Sequence, residues 1–380
     1  MQVTQRMGRG LVAVTLGVLA ASPAAAQATG DPSTANGLFR LFVDSKHVLV
    51  RSLVQDFSIP VAGDVNLSLH WNNEHVTVPG VSAPVGSPEA IDAITTASRP
   101  ISGDAYQDYE KVRNELEGQA TRGPVSVGYY YSTESDYVGQ QMSATYNRDL
   151  RDDQLNLSFG TSYGWDDILP LENQRSTTAA STKNTMHWNA VATQLLSPTS
   201  VVRVGVEYNH VSGLQHNPYR LVYAGGTTVP ERHPDSRERR DAFVKFHQYL
   251  SNRSSLQFDY RIYDDDWGVF SHEVAGGLSQ YVTRGLYARY QYRWYRQSSA
   301  DFWSNDYTTT QGIDGYLTGD YRMSPLSSHL FGLSLNADLS VLAPDSPTLR
   351  RFALTFDYER YFNNENYSAD ILETGVEFRF

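Results

Sequence analysis

Ile371-Leu-Glu-Thr-Gly-Val-Glu-Phe-Arg-Phe380 closes the chain. Extended, it sends Leu372, Thr374, Val376, Phe378 and Phe380 to one side and Glu373, Gly375, Glu377 and Arg379 to the other. One face is apolar and the other is charged. A soluble sandwich rarely ends on an aromatic residue with charges at every second position behind it. In an outer-membrane barrel both faces have a solvent, lipid outside and water or a polar plug inside. The stretch therefore reads as the closing strand of such a barrel.

The opposite end reads as a secretory signal over residues 1–26. Arg6 and Arg9 supply the positive region, Leu11 to Ala21 the apolar core, and Ala24-Ala25-Ala26 the cleavage site. The apolar core is too short to span a bilayer as a helix, and no later stretch approaches the roughly 20 apolar residues that a spanning helix needs. An exported protein with a membrane habit must then cross by strands. A mean hydropathy of -0.44 is compatible with this, because only alternate strand residues meet lipid, and the 25 Tyr and 6 Trp suit interfacial girdles. The absence of Cys excludes a disulfide framework, a thiolate metal site and a c-type haem attachment. A net charge of -11 argues against nucleic acid as a partner.

Residues 27–36 form a polar lead-in on the periplasmic side, and 37–380 read as one all-β domain, an antiparallel up-and-down transmembrane barrel. Strands are expected near 37–44, 47–58, 62–75, 108–118, 124–134, 137–149, 152–165, 184–196, 200–212, 239–251, 254–265, 269–282, 285–298, 327–341, 349–361 and 370–380. This is sixteen strands, with 14–18 the range that the pattern allows. Short turns such as Leu150-Arg151 and Ser197-Pro198-Thr199 alternate with long loops near 76–107, 166–183, 213–238 and 299–326. Short periplasmic turns and long external loops are the expected asymmetry.

The alternation places Arg113, Arg203, Glu207, Asp259, Arg261, Arg289, Arg293, Asp357, Glu359 and Glu377 on the lumenal face. Both signs of charge line the interior, which leaves two readings. The charges either set up a transverse field in a water-filled pore or pair into a network that stiffens a closed barrel.

Two loops hold candidate chemistry. Asp92-Ala-Ile-Thr-Thr-Ala-Ser98 resembles the motif of proteins that receive covalent FMN from a periplasmic flavin transferase. In that resemblance Asp92 matches the leading acid, Thr95 the first hydroxyl and Ser98 the acceptor, while Thr96 stands where Gly is usual. Asp264, Asp265 and Asp266 are three adjacent carboxylates at a loop tip. They offer oxygen ligands for calcium or a divalent bridge to lipopolysaccharide, or ion-pair partners for the arginines of His233-Pro-Asp-Ser-Arg-Glu-Arg-Arg240. The histidines are scattered over different segments and no catalytic constellation emerges, so no enzyme activity is expected.

Asn217-Pro-Tyr-Arg-Leu-Val-Tyr223, Pro234-Asp-Ser-Arg237, Tyr260 to Gly268 with Ser271-His272, Tyr295 to Phe302, Asp320-Tyr-Arg-Met-Ser324 and Tyr358-Glu-Arg-Tyr361 carry a family resemblance. They resemble an uncharacterised family of bacterial outer-membrane barrels, a domain of unknown function numbered three-five-seven-zero. The resemblance implies a barrel in the Gram-negative outer membrane, with Phe378 and Phe380 read by the barrel-assembly machinery. It also implies an envelope lipoprotein or redox partner beside lipid and lipopolysaccharide. These signatures gather at the external strand ends, as an interlocked cap or a partner surface would require. The leading expectation is a porin-like channel or envelope scaffold without cofactor. The alternatives are an FMN-bearing redox component and a surface enzyme or adhesin.

Overall fold

The structure, a computed structural model, describes residues 33–61, 64–79, 109–170, 180–224, 227–304, 307, 315–343 and 345–380. Its first three strands are β1 (Thr34–Asp44), β2 (Leu49–Val61) and β3 (Val65–Val78). Next come β4 (Tyr109–Arg122), β5 (Val125–Thr133), β6 (Tyr137–Leu150), β7 (Leu155–Ile168), β8 (Ser181–Ser197) and β9 (Ser200–Gly213). A small hairpin, β10 (Leu221–Ala224) and β11 (Thr227–Pro230), stands apart. The chain resumes with β12 (Ser236–Leu250), β13 (Ser254–Asp265), β14 (Phe270–Tyr281), β15 (Leu286–Gln297), β16 (Leu326–Asp338), β17 (Phe352–Asn363) and β18 (Ser368–Arg379).

Leaving out the hairpin, these strands form one closed ring of sixteen in which every neighbour is antiparallel and β1 pairs with β18. At that seam Arg40 faces Glu373 and Leu41 faces Leu372. The final rung joins the Ser33 amide to the Phe380 carbonyl at 3.2 Å and the Phe380 amide to the Ser33 carbonyl at 3.0 Å. Closure leaves no unpaired strand edge, the condition for backbone in a hydrocarbon medium.

Period-two alternation decides which side chains face out. Val204 and Val206 on β9, Leu256 and Phe258 on β13, and Leu354 and Phe356 on β17 are exposed, and Val206 remains 56% accessible. A surface this apolar is that of a barrel solvated by lipid. Toward the end carrying the long loops, outward tyrosines hold polar neighbours on the adjacent strand. Tyr129 donates to Gln140 at 2.8 Å, Tyr163 to Asn184 at 3.1 Å and Tyr358 to Asp370 at 2.7 Å. Tyr260 pairs with His272 at 2.7 Å and Tyr292 with His329 at 2.8 Å. A ring in hydrocarbon with its hydroxyl satisfied at the boundary is the arrangement of an interfacial girdle.

Three boundaries differ from the expected ones for local reasons. The turn after β6 runs over 151–154 and delays β7, because Arg151, Asp152 and Asp153 all take left-handed backbone with φ of 56°, 52° and 63°. The connection from β16 to β17 is longer than expected, since the Asp338 carboxylate accepts from the Ser340 amide at 2.8 Å and starts a 3-10 turn. β1 and β2 are each longer than expected, so their weak alternation hides a full hairpin. The expected signal segment, with residues 27–32 of the lead-in, lies outside the described residues.

Candidate functional site

The loop end of the barrel is crossed by the segment between β9 and β12, here called the strap, which carries the β10–β11 hairpin. Its entry is shaped locally. Asn217 Oδ1 accepts from the Tyr219 amide at 2.8 Å, a side-chain turn that aims Tyr219 and Arg220 inward.

The strap's contacts reach opposite walls. On one side the Tyr219 hydroxyl donates to Asp136 at 2.8 Å, and Asp136 also takes Lys111 Nζ at 2.5 Å. Lys111, rooted on β4, holds Glu134 at 2.6 Å as well. On the other side Arg220 Nη1 lies 2.8 Å from Asp320 and 3.3 Å from Glu231. Asp320 belongs to the loop between β15 and β16, half-way round the ring from β5. Arg322 grips the same carboxylate at 2.7 Å, and the Thr318 hydroxyl donates to Glu231. Backbone bonds of 3.0 and 2.9 Å between Arg232 and Leu317 stitch the two loops together. A continuous buried chain of contacts thus runs from β4 across the mouth to the β15–β16 loop.

An apolar pad underlies it. Trp267, Val269, Ala300 and Phe302 pack together with Tyr263, Trp303, Tyr316 and Met323. The His233 ring meets Trp267 at 5.2 Å and Phe302 at 5.5 Å, and the Arg237 guanidinium lies 4.3 Å from the Trp267 ring.

Asp264, Asp265 and Asp266, the expected divalent-ion ligands, do not point into one site, and Asp265 pairs with Arg237. Strand alternation turns Asp265 inward while Asp264 and Asp266 stay exposed. Asp265 Oδ2 takes Arg237 Nη2 at 2.5 Å and the Tyr263 hydroxyl at 2.6 Å. Its Oδ1 accepts from the Trp267 and Val269 amides at 3.0 and 2.9 Å. Asp266 caps the Glu238 amide at 2.9 Å. Among the described residues no group of three or more His, Asp or Glu could hold a metal ion. Asp92, Thr95 and Ser98 lie outside the described residues.

Most of the expected lumenal charges are paired. Arg261 bridges Glu207 and Asp241, each at 3.1 Å. Arg113 binds Glu115 and lies 3.7 Å from Glu134, and Arg293 stands 3.7 Å from Glu273. Arg289 donates to Gln257 at 2.9 Å, Gln257 donates to Asp259 at 2.6 Å, and Gln291 donates to Glu359 at 2.5 Å. Glu377 takes Arg379. Asp357 sits directly opposite Glu373, which Arg40 neutralises. Arg203 has no ion-pair partner among the described residues, while nearby His187, Lys245 and Arg261 each face a carboxylate.

The sequence pattern could not show Lys111, Glu134, Asp136 or Thr318 as part of the cap. Tyr219 and Asp136 are 83 positions apart, and Thr318 and Glu231 are 87 apart. The signatures at 217–223, 260–268 and 320–324 each supply a cap residue, which gives those strings a shared structural purpose.

The family model described as a protein of unknown function, DUF3570, matches residues 21–368. The chain belongs to the DUF3570 family. A search of curated proteins finds no match to this DUF3570 chain. Among solved structures it is similar to the siderophore receptor PirA from Pseudomonas aeruginosa, at 12% identity and a TM-score of 0.43 over 87% of this chain and 56% of that one. The DUF3570 barrel thus spans little more than half of that receptor. It is also similar to OccK1 (OpdK) of the same organism, at 9% identity and TM-score 0.39 over 92% and 99% of the two chains. A bacterial polysaccharide outer membrane secretin matches at 8% identity and TM-score 0.49 over 92% and 97%.

Charge holds the described part of the DUF3570 cap together. Burial alone would push the Glu231 carboxyl up, but Arg220 and His233 bring it below its ordinary 4.5, down to about 2. Burial likewise opposes ionisation of Asp320, and Arg220 with Arg322 lowers it further still. Because the folded values are depressed, both carboxylates contribute stability that is complete above their ordinary range. That stability is lost as pH falls from about 4.5 toward 2. Hydrogen exchange of strap amides is therefore expected to be slow at pH 7 and to accelerate, after correction for intrinsic rates, between pH 4.5 and 2.

Proposed function

We propose that the chain is a porin-like barrel of the Gram-negative outer membrane, held shut at its external mouth and without chemistry of its own. The loop end is then external and the turn end, with both termini, periplasmic. The observation that carries the reading is the buried chain of contacts from Lys111 through Tyr219 and Arg220 to Asp320, which ties opposite walls across the mouth. A scaffold needs no such tie, whereas a channel that must stay closed does. The paired lumen fits the same reading, because a wall whose charges already neutralise one another stays folded around water until a solute passes.

Planar-bilayer recording tests it. The intact chain should give no porin-sized steps at neutral pH, and a variant with 214–235 replaced by a short Gly/Ser linker should give them. Porin-sized steps from the intact chain would remove the closed state, and silence from both would leave a scaffold.

A further inference from the structure

One part of the lumenal wall remains electrostatically unsettled. Arg203 of β9 and Lys245 of β12 stand directly opposite each other in register and face the lumen together. Like charges in that position repel and weaken the pairing of their strands. Their surroundings do little to compensate. Arg203 has no ion-pair partner among the described residues, and the Lys245 ammonium reaches Asp259 only at 3.9 Å. That carboxylate already accepts from Gln257 at 2.6 Å, and the nearby Arg261 is taken by Glu207 and Asp241.

The next rung holds an aromatic ring in this polar interior. Phe243 is opposite Gly205 and its ring tip lies over it, since a Cβ at Gly205 would come within 2.5 Å of the ring. The absence of a side chain lets the ring rest on the wall, and Phe243 stays half-buried. Lys245 Nζ lies 5.8 Å from its centroid and Arg261 Cζ 5.7 Å. Lys245, whose carboxylate partner is distant, thus adjoins the apolar ring, and Arg203 stands opposite it in register.

We propose that Arg203, Lys245 and Phe243 form a lumenal binding site for an aromatic carboxylate. The carboxylate would lie between the guanidinium and the ammonium, where charge-assisted hydrogen bonds are strong, and the ring would stack on Phe243. A cation is repelled there, and a small inorganic anion leaves the ring uncovered. Arg203 is the fourth residue of β9, about 10 Å in from the turn end, so a ligand can arrive without the cap opening. The site therefore stands whether or not the barrel conducts.

The test is titration of the full-length mature chain, folded in detergent micelles, with benzoate and separately with benzylamine, followed by ligand-observed NMR. Benzoate should bind saturably, and benzylamine, the same ring with a cationic arm, should not. Arg203→Gln and Lys245→Gln should each weaken benzoate about tenfold. Phe243→Leu, which keeps bulk over Gly205, should weaken it about threefold. Heat-modifiable migration on gels confirms that each variant is folded. Benzoate uptake that never saturates, or equal affinity in the wild type and Arg203→Gln, would overturn the site.

Discussion

Arg220→Ala is expected to unlatch the mouth and leave the barrel wall intact. Arg220 is the only cation within 3.5 Å of both Glu231 and Asp320 among the described residues, and its side chain is 7% exposed. Its loss takes the guanidinium from Glu231 in a dry site and leaves Asp320 to Arg322 alone, and breaking one partner out of a buried ion pair costs about 3–5 kcal/mol. Among the described residues of the strap only the His233 imidazole, 3.3 Å from Glu231, stands near enough to share its place, and Arg322 is already committed to Asp320 on the far loop. Trypsin should then cut at Arg232, now held by backbone bonds to Leu317, and bilayers should show steps absent from the parent. Arg240→Ala, which removes an exposed pair with Glu238, should change neither readout. Unchanged proteolysis in Arg220→Ala would mean that the strap is held by its hairpin and aromatic pad alone.

The second large effect is expected at Asp265. One carboxylate there neutralises Arg237, receives the Tyr263 hydroxyl and caps two amides of the β13–β14 turn. Asp265→Ala strands Arg237 beneath the cap and releases Trp267 from the pad, at a cost of about 3–5 kcal/mol. The gel-shift melting midpoint should fall clearly. Asp264→Ala and Asp266→Ala, both at exposed positions, should shift it little. A chelator should leave the parent's midpoint unchanged. A fall on chelation would restore a divalent ion to these three residues.

The barrel was legible because its governing rule is local. Every second residue of Leu256 to Ile262 or of Phe352 to Tyr358 is apolar, and lipid enforces that alternation strand by strand. The lumenal assignment of Arg203, Glu207, Asp259 and Arg261 followed from the same parity, and the cross-strand register places them on one face. Partners were not legible. Nothing in Lys111 announces Asp136, and nothing in Tyr219 does, since the first contact waits on the β4–β5 pairing and the second brings together residues 83 positions apart. The β10–β11 hairpin escaped notice because strands of four residues offer too few alternations to stand out from a loop. The aspartate triplet was ambiguous for a related reason. Composition suggested a shared ligand, whereas strand geometry turns neighbouring side chains apart.

The rung between Ser33 and Phe380 joins the first and the last of the described residues. Until the last residue arrives, the sheet has two raw edges and its polar inner face cannot be enclosed. The latch from Lys111 to Asp320 likewise draws on segments spread over more than half the sequence. Synthesis order therefore imposes a timetable. The seam cannot form before the final strand is delivered, and the latch cannot form before Asp320 is. A chain truncated by even its final strand would lack the β1–β18 seam and keep two open sheet edges.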